Sequence, residues 1–180
     1  KHKVGFQVER FLERFDGHWD DSVGHFDAIE ILVINDATAR NSALQSGQVQ
    51  LINRVEPRVA GLLARAPSVS VESTAGRGHY VFIMHCNTAP FDNNDLRLAL
   101  KYAIDREDMV DKILRGYGSV GNDMPINASY PLFDSEIEQR TYDPDMARHY
   151  FERSGHSGPV QLRVSEVSFP GAIDAAQLFQ

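Results

Sequence analysis

The chain has 180 residues, 42% of them apolar and 24% charged, with a formal net charge of −7. That size supports one substantial core or two small ones, and no apolar run approaches the ~18 residues of a membrane span. The acidic balance, with 18 scattered Lys and Arg residues, argues against nucleic acid, which needs clustered cations.

Val4, Phe6 and Val8 alternate loosely and predict a strand over residues 4–12, closed by a turn at Asp16-Gly17. Residues 29–34 are apolar on both faces apart from Glu30, the pattern of a strand buried on both sides of an α/β sheet. Asp36 supplies an N-cap and Gly47 a stop for a helix carrying Ala39, Ala43 and Leu44. Residues 49–52 read as a short strand. Pro57 suits the first helical position, and Val59, Leu62, Leu63 and Ala66 make a helical stripe before Pro67.

Val69 and Val71 alternate as an edge strand, and residues 80–85, apolar on both faces, read as a central one. Asn94 is the expected cap of a helix with the core stripe Leu96, Ala99, Leu100, Ala103 and Ile104. Asp105 is a second cap, with Asp108 three positions on and Met109, Ile113 and Leu114 facing inward until Gly116. Asp143-Pro144 opens a helix that buries Ala147, Tyr150 and Phe151 and stops at Gly155. Val160, Leu162 and Val164 alternate as a strand, and residues 169–180 read as a helix start without a stop signal. Both ends look cut. Strands and helices interleave without repeat or low-complexity linker, so the fold class is α/β.

The order of residues from Cys86 to Ile126 carries more. Asn87-Thr88, Pro90-Phe91, Asp95-Leu96-Arg97-Leu98-Ala99-Leu100 and Ala103-Ile104-Asp105-Arg106 are similar to the block N-T-x-x-P-F-x-D-x-R-V-R-x-A-L-x-x-A-I-D-R. That block marks the family 5 (peptide/nickel-type) extracellular solute-binding proteins of ABC importers. Two departures are visible: the segment from Asn87 to Phe91 is about one residue short, and Leu96 stands where Val is common. Asp36 to Arg40 and Ser46 to Gln50 resemble the family's T-x-x-x-A-L-x-x-G-E-I-D segment, with Gln48 and Gln50 in place of acids. Tyr142-Asp143-Pro144-Asp145-Met146-Ala147 resembles its Y-D-P-x-x-A helix start, so the likeness spans nearly the whole chain.

The resemblance implies part of a periplasmic-binding-protein type II (Venus-flytrap) fold, with mixed sheets flanked by helices and ligand held between two lobes. Residues 1–75 would belong to lobe I and residues 76–180 to the N-terminal part of lobe II, both truncated. It implies an extracytoplasmic protein that binds peptides or similar small solutes and delivers them to ABC permease subunits in transmembrane transport. Its place would be the periplasm, or a lipid anchor in a Gram-positive cell, with the permease as its link to the membrane. No cofactor and no catalytic residue are implied. The alternatives are a sensor or chaperone-like binding protein of the same fold without a permease and, more remotely, a Cys86-dependent hydrolase.

The crossing between lobes is expected at residues 75–80, where Gly76 and Gly78 flank Arg77 and permit hinge-like changes. Ligand-facing aromatics on the following strand point to Tyr80 and Phe82, or to Val81 and Ile83 on the opposite face. Tyr80 serves cleft or core equally well, whereas Phe82 reads first as core. Asn53 and Arg54 lie between a strand end and a helix start, the usual ligand location in α/β sheets, with an exposed turn as the plain alternative. Asn87 reads first as satisfying backbone groups at a strand end and secondarily as a ligand contact. The loop 116–131 either touches ligand or connects helices. Arg97 reads as a tether to the preceding turn.

The lone cysteine, Cys86, leaves no internal disulfide and no cysteine-based zinc site. His85 and Cys86 are adjacent on a strand and point to opposite faces, so they cannot form a nucleophile–base pair directly. His2, His18 and His25 match no metal-ligand spacing, and His149 and His156 flank a helix C-terminus, where an imidazole complements the dipole.

Overall fold

A computed structural model of the chain describes residues 7–121 and 123–180; Val4 and Phe6 of the expected first strand lie outside them. The chain forms two compact units, one ending at Val55 and one running from Glu56 to Gln180.

In the first unit, β1 (Gln7–Glu13) pairs antiparallel with β2 (Ala28–Val33), Phe11 opposite Glu30 and Leu12 opposite Ile29. The register shifts between Val8 and Arg10, an extra residue that bends a strand locally. Arg14 N–H donates to Asp27 O at 2.8 Å just beyond the ladder. Residues 29–34 were expected to be buried on both faces; instead Ile29, Ile31 and Val33 are exposed. β1 is the one ladder partner of this strand among the described residues, so its apolar faces lack the covering layers that the pattern anticipates.

Helix α1 (Ala37–Gln45) starts where expected. Asp36 Oδ1 accepts from Ala39 N–H at 2.7 Å, satisfying an amide that a helix start leaves orphaned. Arg40 then donates back to Ile34 O and Asn35 O at 2.8 and 3.1 Å, and Ala43 is buried. Gly47, at φ 75°, ends the run with its N–H on Leu44 O at 3.0 Å.

The second unit holds α2 (Pro57–Leu63), α3 (Asn94–Ala103), α4 (Arg106–Lys112), α5 (Pro144–Ser154) and α6 (Ala172–Leu178). Helix α2 buries Ala60 and Leu63 and leaves Leu62 exposed. Of the expected stripe, Leu63 is buried and Val59 and Ala66 are half-buried, and Leu62 lies on the exposed side of the helix. The cap of α3 is Asn93 rather than Asn94. Asn93 is extended (φ −76°, ψ 115°), which sets its Oδ1 to accept from Asp95 and Leu96 N–H at 3.0 and 3.3 Å. Leu96 below it is fully buried, at 0% exposure.

Helices α3 and α5 pack antiparallel. At one end Asn93 Nδ2 donates to Ser154 O at 2.8 Å, and Arg153 donates two hydrogen bonds to the Asp95 carboxylate at 2.8 and 3.1 Å. At the other end Asp143 N–H donates to Tyr102 O at 3.0 Å, and the Tyr102 and Tyr150 rings stack with centroids 5.7 Å apart. Asp143 caps α5, and Gly155 closes it in the left-handed region at φ 65°. Ala147 and Tyr150 are half-buried rather than buried, and Phe151 is exposed. With α3 as its helical neighbour, α5 has one covered side, so no residue of it is fully enclosed.

Residues 49–52, 69–71, 80–85 and 160–164 were read as strands and join no ladder among the described residues. A strand exists by exchanging backbone hydrogen bonds with a neighbour. Without one, side chains such as Ile83 remain exposed, here at 73%.

Candidate ligand-binding segments

The residues of the signature block form a scaffold. Arg97 donates to Phe91 O at 2.5 Å and to Asn94 Oδ1 at 2.9 Å, the tether its position suggested. Asp105 Oδ1 accepts from Asp108 N–H at 2.9 Å and caps α4. Arg106 donates to Lys101 O, at the end of α3, at 3.1 Å and to Asp123 Oδ1 at 2.8 Å. Asp123 also meets Lys101 at 3.5 Å and Arg140, so one carboxylate, its side chain 24% exposed, gathers three cations. Burial pushes this carboxyl up, but the charges of Arg106, Lys101 and Arg140 and the Arg106 hydrogen bond outweigh it and hold it below the ordinary range.

The segment expected to cross between lobes makes its contacts with residues 127–130 and with Phe169. Asn127 Nδ2 donates to Gly76 O and Tyr130 OH to Arg77 O, each at 3.4 Å, and the Arg77 guanidinium stands 5.1 Å from the centre of the Tyr130 ring. Tyr80 stacks on Phe169 with centroids 4.3 Å apart, and Phe82 on Phe179 at 5.3 Å. Tyr80 is 54% exposed in spite of that stacking, while Phe82 is half-buried. Gly76 and Gly78 have no positive φ, and both have room for a Cβ, so this conformation does not itself demand glycine.

Asn87 is exposed, and its Oδ1 accepts from Thr88 Oγ1 at 3.4 Å. Asn53 and Arg54 belong to the first unit and are exposed; Arg54 takes φ 54°, a left-handed conformation unusual for a side chain of its size. Arg77, Tyr80 and Phe82 thus share one packed stretch, whereas Asn87 follows beyond it. Sequence reading missed Asn127, Tyr130, Phe169 and Phe179 as partners of this stretch. The turn-forming composition of 116–131 was the one signal for the first two, and aromatic pairs 89 and 97 positions apart in sequence leave none.

Cys86 is exposed, and no hydrogen bond joins it to His79 or His85 among the described residues. A cleft of about 210 Å³ is lined by Asp105, Asp108, Met109 and Phe179 among others. Its acids are already engaged, Asp105 as a cap and Asp108 in an ion pair with Lys112 at 2.8 Å.

Comparison with known proteins gives concordant results. The family described as bacterial extracellular solute-binding proteins, family 5 Middle, matches residues 5–180. Heme-binding protein A of Haemophilus influenzae is 31% identical over 132 residues, 72% of this chain and 24% of that protein. Glutathione-binding protein GsiB of Salmonella paratyphi A is 26% identical over 166 residues, 86% of this chain and 32% of that protein. Among solved structures, the ABC transporter-associated periplasmic binding protein DppA of Helicobacter pylori, in complex with peptide STSA, superposes with a TM-score of 0.64 at 21% identity. That match covers 81% of this chain and 28% of DppA, so the chain spans about a third or less of the proteins it resembles.

Proposed function

This chain belongs to the family 5 bacterial extracellular solute-binding proteins, and from that premise we propose that it forms the facing parts of two lobes that close on a small solute. The fold is that of the type II periplasmic binding proteins. The relatives are named as binding proteins, and we read this one likewise as a carrier and not an enzyme. In this reading the longer protein works outside the cytoplasm and passes a peptide-like solute to an ABC permease.

The observation that carries the reading is the family match across residues 5–180, joined to a signature block in which Arg97 tethers the turn before α3, Asp105 caps α4 and Arg106 ties α4 to the end of α3. Residues so engaged build a scaffold and are not free for chemistry. We assign residues 1–75 to the first lobe, residues 76–180 to the second, and the hinge to Gly76 and Gly78. Ligand contacts are assigned to Asn53, Arg54, Arg77, Tyr80, Phe82 and Asn87. The left-handed Arg54 supports its assignment, since backbone strain of this kind collects at ligand sites. The exposure of Tyr80 supports its own, an aromatic face being a good anchor for an apolar or planar group.

The deciding experiment is native mass spectrometry of the full-length protein purified without refolding. A bound small solute, exchangeable with glutathione or a tripeptide in calorimetry, is the expected result. A protein that emerges empty and takes up neither peptides, glutathione nor haem would sink the proposal.

A further inference from the structure

Resting on the assignment of Gly76 and Gly78 to the hinge, we propose that residues 123–130 act as a brace on the crossing segment and thereby set how far the two lobes open without solute. One end of the brace is anchored firmly. Asp123 pairs with Lys101 at the end of α3, Arg106 at the start of α4 and Arg140 on the approach to α5. Arg140 in turn stands 5.2 Å from the centre of the Tyr102 ring, inside the α3–α5 pair. This end cannot shift without disturbing the helical frame.

The other end is stiffened by its own turns. Asn127 Oδ1 accepts from Ser129 N–H at 2.9 Å, Asn127 O from Tyr130 N–H at 3.0 Å, and Tyr130 O from Phe133 N–H at 3.2 Å. From this fixed turn, Asn127 Nδ2 and Tyr130 OH reach the carbonyls of two successive residues, Gly76 and Arg77, while the Arg77 side chain folds back over the Tyr130 ring. Carbonyl and side chain of Arg77 are therefore both held by Tyr130. Asn127 and Tyr130 thus hold two successive residues of the crossing segment from one turn. A restraint made at a hinge acts on lobe orientation, and it shifts the open–closed population by its differential strength in the two states.

The test uses the full-length protein with Cys86→Ser and every other native cysteine replaced by serine, with nitroxides on Ser42→Cys and Glu152→Cys, one for each lobe, and interlobe distances measured by electron–electron resonance without solute. Asn127→Asp with Tyr130→Phe removes both donors and keeps the Oδ1 acceptor and the ring, so the turn and the cation–π contact survive. The expected result is a change of about threefold or more in the ratio of distance populations, with a smaller change in the same direction for Tyr130→Phe alone. Distance distributions that coincide in all three proteins overturn the brace. Because no ligand enters the measurement, a protein that shows the shift yet binds neither glutathione nor tripeptide refutes the carrier reading and leaves the brace standing.

Discussion

Asp123 stands where three cations converge, and the balance of burial against charge decides how it responds to pH. Its carboxyl sits below the ordinary value of about 3.9. A carboxyl depressed by folding adds stability in full above its unfolded value, and that stability is lost as pH falls through the lower, folded value. Asp123→Asn is therefore expected to cost about 1–2 kcal/mol at pH 7, with the gap from the parent beginning to narrow only below about pH 4 and closing as pH falls through the lower, folded value. Urea unfolding at pH 7 and at successive steps below about pH 4 checks it, and a gap of constant size down the series would refute it. At Leu96, wholly enclosed, Leu96→Ala is expected to cost about 2–5 kcal/mol, whereas Asp105→Ala, which removes one cap, costs about 1 kcal/mol. The same unfolding curves rank the two, and a reversed order would show that the α3–α4 junction outweighs the core beneath it.

Helices α3 and α5 illustrate how far an element follows from its own residues. Asn93, Asp105 and Asp143 each accept amide hydrogens at a helix start, because a short acidic or amide side chain is the group that reaches N2 and N3. Asp36, Asp105, Asp143 and the stop at Gly155 were all legible in the sequence for this reason. The cap of α3 was misplaced by one position because two asparagines stand in a row and only backbone conformation separates them. Gly155, at φ 65°, has open space around it, so Gly155→Ala is a test of backbone strain alone. A loss of about 1 kcal/mol is expected in thermal unfolding; no loss would mean that the helix end rearranges. The Asp95–Arg153 pair is bidentate but more than half exposed on the arginine side, and a double-mutant cycle should give a coupling of no more than about 1 kcal/mol.

The strand expectations fared differently, and they bear on how the molecule behaves in solution. Val81, Ile83, Leu132 and Val167 are exposed large apolar residues, and apolar surface seeks a partner where it is contiguous. Residues 1–180 prepared alone are expected to enhance the fluorescence of a hydrophobic dye and to associate with rising concentration. They should also bind glutathione or a tripeptide far more weakly than the full-length protein. Monodisperse, dye-silent material with tight calorimetric binding would contradict both expectations.

Local chemistry wrote the helix starts, the left-handed stop and the family block into the order of residues, because capping and turn conformation involve atoms only two to four positions apart. That is why the family is legible in the order of residues alone. The three cations around Asp123, the stacking of Tyr80 and Phe82 on Phe169 and Phe179, and the hold of Asn127 and Tyr130 on Gly76 and Arg77 came only from the folded chain. Such contacts depend on where distant segments are brought together, and neither the spacing nor the type of these residues encodes that distance.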